Sequence, residues 1–163
     1  MKLIIMRHAE AEAAGVVPGG GDFERRLTET GRADAARMAR LAQATGWQIA
    51  RVRTSPLVRA RETGSIVAET LGIASQTEPL LTSGMDPGES LSLFDGIDSN
   101  TVEIWVFHAP DVQSLSAELM GVRESAFYFT PGAMLALNLA LPRPSGRGML
   151  IWNAQPEYLR ELL

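Results

Sequence analysis

A chain of 163 residues, 45% hydrophobic and 21% charged, reads as one domain over 1–163 with one sizeable core, which excludes a fibre or a disordered tail. Fifteen basic against nineteen acidic residues leave a net charge of −4, setting aside a broad nucleic-acid or anionic-membrane surface. The lack of cysteine removes disulfides, thiolate zinc sites, iron–sulfur clusters and cysteine nucleophiles; with only His8 and His108 as imidazoles, a zinc or copper enzyme is not expected, although a carboxylate site for magnesium or calcium stays open.

Lys2 to Arg7 is short, apolar and bounded by polar residues, the pattern of a buried strand. Its apolar run is far shorter than a signal-peptide core or a membrane span, so the chain is expected in the cytoplasm, away from membranes. From about Thr30 to Thr45, Ala35, Met38, Ala39 and Ala42 fall on one helical face and Arg32, Arg37 and Arg40 off it, with Gly46 closing the helix. Ile49 to Thr54 reads as a second strand. Ser55-Pro56 then supplies a cap and a first-turn proline for a helix through Leu57, Ala60, Val67 and Leu71 to Gly72. Thr101 to Phe107 is the next strong strand, followed by a helix from Pro110 to Gly121; Met134 to Leu141 and Gly148 to Asn153 are two late strands. Strands alternating with helices predict an α/β fold, a three-layer α/β/α sandwich with a mostly parallel central sheet.

In open sheets of this kind ligands sit beyond the carboxyl ends of the strands. His8 lies just past the first strand and His108 just past the strand ending at Phe107, so both fall where such a sheet presents chemistry. The stretch Thr54 to Thr63 adds a strand end running into a helix amino terminus, which favours an anion. Arg59 and Thr63 are four apart and share a face, while Arg61 is rotated away toward solvent. Arg59 can aim at the rim beside His8 or pair with Glu62 or Glu69 on the surface.

Arg7-His8-Ala9-Glu10-Ala11 resembles the Arg-His signature of the histidine phosphatase superfamily, the phosphoglycerate-mutase-like fold. Asp22, Arg25, Leu27, Thr28 and Gly31 are similar to the D-x-x-R-x-L-T-x-x-G stretch of its small bacterial phosphohistidine phosphatases. Ser55-Pro56-Leu57-Val58-Arg59-Ala60 with Thr63 matches S-P-x-x-R-A-x-x-T. His108-Ala109-Pro110 and Phe129-Thr130-Pro131-Gly132-Ala133 resemble the second-histidine and late motifs, so the likeness spans nearly the whole chain. It implies His8 as a nucleophile carrying a transient phosphohistidine, His108 as a catalytic hydrogen-bond donor, and Arg7 and Arg59 as phosphate-binding forks that lysine could not copy. No cofactor and no metal are implied, since two arginines and helix amides oppose the phosphoryl charge.

The larger members of this family carry a glutamate as general acid after the middle strand; here Ser83 aligns with it, and Asp86, Glu89 and Asp111 are the nearby carboxylates. An alkoxide leaving group needs a proton, whereas imidazole departs near its own pKa of about 6.5. The expected substrate is therefore phosphohistidine on a protein partner, or a small phosphorylated mimic. Ala109 and Phe107 also depart from the family's usual residues around the second histidine. Alternatives are a small-molecule phosphomonoesterase, a weakly catalytic phospho-ligand binder, and a structural protein sharing only the fold. Glu10 and the glycine-rich stretch Val16 to Gly21 are expected to edge a shallow rim. Pro156 to Leu163, with Tyr158, Leu159, Leu162 and Leu163, could cover the sheet edge or meet another chain, although a monomer is expected.

Overall fold

The computed structural model describes residues 1–13, 15 and 21–160. Six strands form one sheet: β1 (Lys2–Arg7), β2 (Arg51–Thr54), β3 (Ser75–Thr77), β4 (Val102–Phe107), β5 (Met134–Asn138) and β6 (Met149–Ala154), in the order β3-β2-β4-β1-β5-β6. The first four run parallel, and β5 is antiparallel to both its neighbours. Five helices accompany them: α1 (Glu29–Ala44), α2 (Val58–Leu71), α3 (Pro87–Ser90), α4 (Asp111–Met120) and α5 (Pro156–Arg160). None is long and apolar enough to cross a membrane.

Alternation along the central strands decides what lies on each face. Ile4, Met6, Val52, Ile104 and Val106 pack with Met38, Ala39 and Ala42 of α1 and Ala60, Val67 and Ala68 of α2. Leu3, Ile5, Trp105 and Phe107 pack on the other face with Val112, Leu115 and Leu119 of α4 and with Leu81 and Phe94. Helices thus cover both faces, as the expected sandwich requires. All four residues of α1 expected to face inward, Ala35, Met38, Ala39 and Ala42, are fully buried.

β3 was not visible in the hydrophobic pattern. Its Ser75-Gln76-Thr77 lies at the sheet edge with two of three residues exposed, so nothing selects apolar side chains there. A second difference concerns Ser55, expected to cap the following helix: Leu57 is the N-cap of α2 and no side chain caps it. The Ser55 hydroxyl is used elsewhere, as the site shows.

α1 and α4 leave β1 and β4 toward opposite faces, although those strands are neighbours. A crevice therefore opens where their carboxyl ends diverge. Arg7 pairs with Phe107 in register, and the His8 amide donates to the Phe107 carbonyl at 2.9 Å. His8 and His108 are the next residues on each side of that crevice. The Ser55 amide donates to the Val106 carbonyl at 2.9 Å, which carries the end of β2 to the same place.

At the carboxyl end of the chain, Leu159 packs against the α1 side of the core and Arg160 pairs with buried Asp34 of α1, its Nε 3.1 Å from Oδ1. α5 therefore clasps α1. Tyr158 is exposed, and Leu162 and Leu163 lie outside the described residues, as does Val16 to Gly20 of the glycine-rich stretch.

Candidate active site

The His8 and His108 rings lie 5.2 Å apart between centroids, tilted by 55°. Both residues are buried, at 7% and 2% exposure. His8 Nδ1 is 2.8 Å from the Ala9 carbonyl. A carbonyl only accepts, so the ring proton sits on Nδ1 and Nε2 keeps its lone pair. Arg59 donates from Nε to that lone pair at 3.2 Å.

Arg59 is the second residue of α2 and is itself 4% exposed. A buried guanidinium without partners would be very costly, and its remaining donors go to one residue. Nη1 donates to the Asp22 carbonyl at 2.7 Å and Nη2 to the Asp22 carboxylate at 2.9 Å. Of the two surface partners suggested by helical spacing, neither is used: Glu62 accepts from Arg32 and from the Leu27 amide, and Glu69 is not paired with Arg59. Arg61 is exposed, as its rotation about the helix requires.

His108 Nε2 is 2.7 Å from the Ser55 hydroxyl, which also accepts from the Leu57 amide at 3.3 Å. The Ser55 hydroxyl carries one proton and two lone pairs, so it can donate to His108 Nε2 while accepting from Leu57, and in that arrangement the imidazole proton sits on Nδ1. Nδ1 is buried with no partner among the described residues. Arg7 donates from Nη1 to the Phe129 carbonyl at 2.8 Å, and its buried Nε is likewise unpartnered. Two buried nitrogens without partners close to His8, one of them a guanidinium donor, are the mark of a site that expects a ligand.

Burial pushes His8 down to about 3 and His108 down to about 4; the nearby guanidinium groups of Arg59 and Arg7 push both in the same direction. Both imidazoles are thus neutral across the physiological range. Asp22 is held below the usual carboxylate range: partial burial works against this, and the hydrogen bond and charge of Arg59 outweigh it.

The sequence motifs have local physical reasons. Thr63 Oγ1 donates to the Arg59 carbonyl at 2.7 Å and accepts from the Ala9 amide at 3.1 Å, tying α2 to the backbone behind His8. Gly64 faces β2 so closely that a Cβ would lie 2.1 Å from Thr54 Cγ2. Thr28 caps α1 by accepting from the Gly31 amide, and a Cβ on Gly31 would lie 2.0 Å from the Glu10 carbonyl oxygen. Gly132, at φ +88°, donates to the His8 carbonyl at 3.0 Å.

The structure brings His8, His108, Arg59 and Arg7 to one crevice. Sequence reasoning passed over Asp22 and Ser55 as working residues. Both stood in quoted motifs, and the signal was present in Ser55 four positions before Arg59. Arg25 joins the periphery, its Nη1 3.4 Å from Asp22. The nearby carboxylates lie apart: Asp86 caps α3 through the Gly88 amide, Glu89 is exposed, and Asp111 accepts from the Gly84 amide at 2.9 Å. None hydrogen-bonds to either histidine or to Arg59, and Ser83 is exposed.

A groove of about 580 Å³ runs along the outer side of α2, lined by Arg26, Arg32, Arg61 and Glu62 among others. None of the four crevice residues lines it. Within it Arg32 and Glu62 are paired with each other.

A model of the histidine phosphatase superfamily (branch 1) matches residues 3–89. Phosphohistidine phosphatase SixA of Escherichia coli (strain K12) is 30% identical over 160 residues, covering 96% of this chain and 94% of that protein. The structure of the protein histidine phosphatase SixA complexed with tungstate superposes with a TM-score of 0.82 at 28% identity, over 98% of this chain and 99% of that one. A mycobacterial glucosyl-3-phosphoglycerate phosphatase shares the fold at a TM-score of 0.71 and 17% identity, over 94% and 99% of the two chains.

Proposed function

The chain belongs to the histidine phosphatase superfamily, and from that membership we propose that it is a metal-independent cytoplasmic phosphohistidine phosphatase whose nucleophile is His8 Nε2. The observation that carries this reading is the pairing of a neutral imidazole, its lone pair on the crevice side of the ring, with buried nitrogens lacking partners at Arg7 and His108.

In the first step Nε2 forms a bond to phosphorus as the bond from phosphorus to the substrate's imidazole nitrogen breaks. The departing imidazole takes a proton from water. In the second, water attacks the phosphorylated His8 and releases orthophosphate, returning the electron pair to Nε2. Arg7, Arg59 and His108 Nδ1 oppose the charge that spreads over the equatorial oxygens. The His8 carbonyl, tied to Gly132, and the Ala9 amide, tied to Thr63, hold the nucleophile's backbone through both steps.

Phosphohistidine is favoured over phosphomonoesters because, among the described residues, no carboxylate bonded to the crevice is poised to release a proton. Asp22 is the carboxylate that reaches it, and Arg59 keeps it ionised. Exposed Phe23 and Tyr128 stand beside Asp22 and Phe129 in the chain, which suits a rim open to a phosphorylated side chain on another protein.

The test is to trap the phosphoenzyme in EDTA, map it to His8, and compare its formation from phosphohistidine and phosphoserine donors. Labelling at His8, faster from phosphohistidine, is expected. Equal labelling of wild type and His8→Ala would overturn the nucleophile, and comparable kcat/KM on phosphoserine peptides the substrate class.

A further inference from the structure

The crevice is occupied by protein. His8 Nε2 accepts from Arg59, and the outer nitrogens of Arg59 are taken by Asp22, one by its carbonyl and one by its carboxylate. The nucleophile and its clamp thus satisfy each other and a neighbour. A phosphoryl group binding to Arg59 must take over at least the nitrogen that the carboxylate holds.

Asp22 is built for that exchange. It sits in a three-residue 3-10 turn, Asp22–Glu24, that has no side-chain cap and no buried residue. Its side chain is 58% exposed, whereas that of Arg59 is 5% exposed. The carboxylate can therefore turn into water at little desolvation cost, but the guanidinium cannot leave. One carboxylate oxygen and the main-chain carbonyl of Asp22 occupy the two outer nitrogens of Arg59, the positions that two phosphate oxygens take on a planar fork. Arg25, 3.4 Å from the other carboxylate oxygen, is a second cation able to hold Asp22 once it has moved.

We propose that Asp22 is a placeholder for the phosphoryl group: its carboxylate holds one outer nitrogen of Arg59 while the site is free, yields it to a phosphate oxygen on binding, and retakes it as phosphate departs. This rests on the reading of Arg59 as the phosphate clamp. Asp22 then limits affinity for the product in exchange for release. In an enzyme without it, a buried guanidinium beside His8 would hold orthophosphate tightly.

Orthophosphate titration of the full chain at pH 7, followed by calorimetry with wild type, Asp22→Asn, Asp22→Ala and Arg59→Ala, tests this. Asparagine keeps an acceptor for Nη2 and the backbone carbonyl for Nη1, so Arg59 stays oriented while the competing charge is gone. One unit charge at about 4 Å through water corresponds to roughly a fivefold change in affinity. Both Asp22 variants are therefore expected to bind phosphate at least about fivefold tighter, with slower dissociation. Equal or weaker binding in either, while Arg59→Ala abolishes binding, overturns the placeholder and leaves the functional reading standing. Wild-type binding unaffected by Arg59→Ala removes Arg59 as the clamp and both proposals with it.

Discussion

The Nε of Arg59 donates to the Nε2 of His8 across 3.2 Å, two buried side chains 51 positions apart in the chain. The same guanidinium spends its two outer nitrogens on Asp22. A lysine has one nitrogen and cannot serve both directions from that position. Arg59→Lys is expected to lower kcat/KM for a phosphohistidine donor by about 10² to 10³, the usual cost of a lost transition-state donor. Steady-state kinetics with a folded variant, checked by circular dichroism, decide it; a loss under tenfold would show that charge alone suffices.

The two histidines make stability depend on pH. Burial is the main cause that pushes them down to about 3 and about 4, with Arg59 and Arg7 adding repulsion. Between pH 6.5 and those values the unfolded chain takes up protons that the folded chain refuses. Stability is therefore greatest above pH 6.5 and falls as pH drops, by up to about 1.4 kcal/mol per pH unit for each histidine. Asp111, raised by burial against the pull of the Gly84 amide, works in the opposite sense and offsets part of this. Urea unfolding at pH 7 and 5 should show the loss, and His108→Gln should make the slope shallower. On the same grounds the acid limb of kcat/KM is expected below pH 5; a limb near 6.5 would mean that His8 titrates as an exposed imidazole.

Thr63 joins two site elements through one hydroxyl. Replacing it by valine keeps the shape but leaves the buried Ala9 amide without its acceptor, at a cost of about 1 to 3 kcal/mol. Thr63→Val is expected to lose that much stability by urea denaturation and to lose activity, because Ala9 follows the nucleophile directly. Thr63→Ser, which restores the hydroxyl, is expected to recover most of both.

What could be read from the sequence divides along physical lines. β1 and β4 were legible as short, continuous apolar runs, and α1 because its burial repeats with the helical period, as in Ala35, Met38, Ala39 and Ala42. β3 was not, since an edge strand of serine, glutamine and threonine carries no such period. His8 and His108 could be placed by strand ends alone, and the family motifs brought in Arg7. The partner of Arg59 could not: local spacing pointed to Glu62 and Glu69, and the contact made is to Asp22, 37 positions away. A tertiary ion pair leaves no periodicity, and only the fold brings that turn over α2.

Ser55 shows the same limit and yields the last prediction. Its place before Pro56 suggested a helix cap, yet its hydroxyl lies 2.7 Å from His108 Nε2 and accepts from the Leu57 amide. Its hydroxyl can donate to Nε2 while accepting from Leu57, and in that arrangement the ring proton of His108 sits on the unpartnered Nδ1. Ser55→Ala removes that preference. The proton can then move to Nε2, and Nδ1 would present a lone pair to phosphate oxygens, which repels them. The variant is expected to lose about tenfold or more in kcat/KM, with a smaller loss in affinity for the uncharged parts of a substrate. Nitrogen-15 shifts of the His108 ring read the tautomer directly: protonation at Nδ1 in wild type and a shift toward Nε2 in Ser55→Ala support the assignment, while an unchanged tautomer would reduce Ser55 to a packing residue.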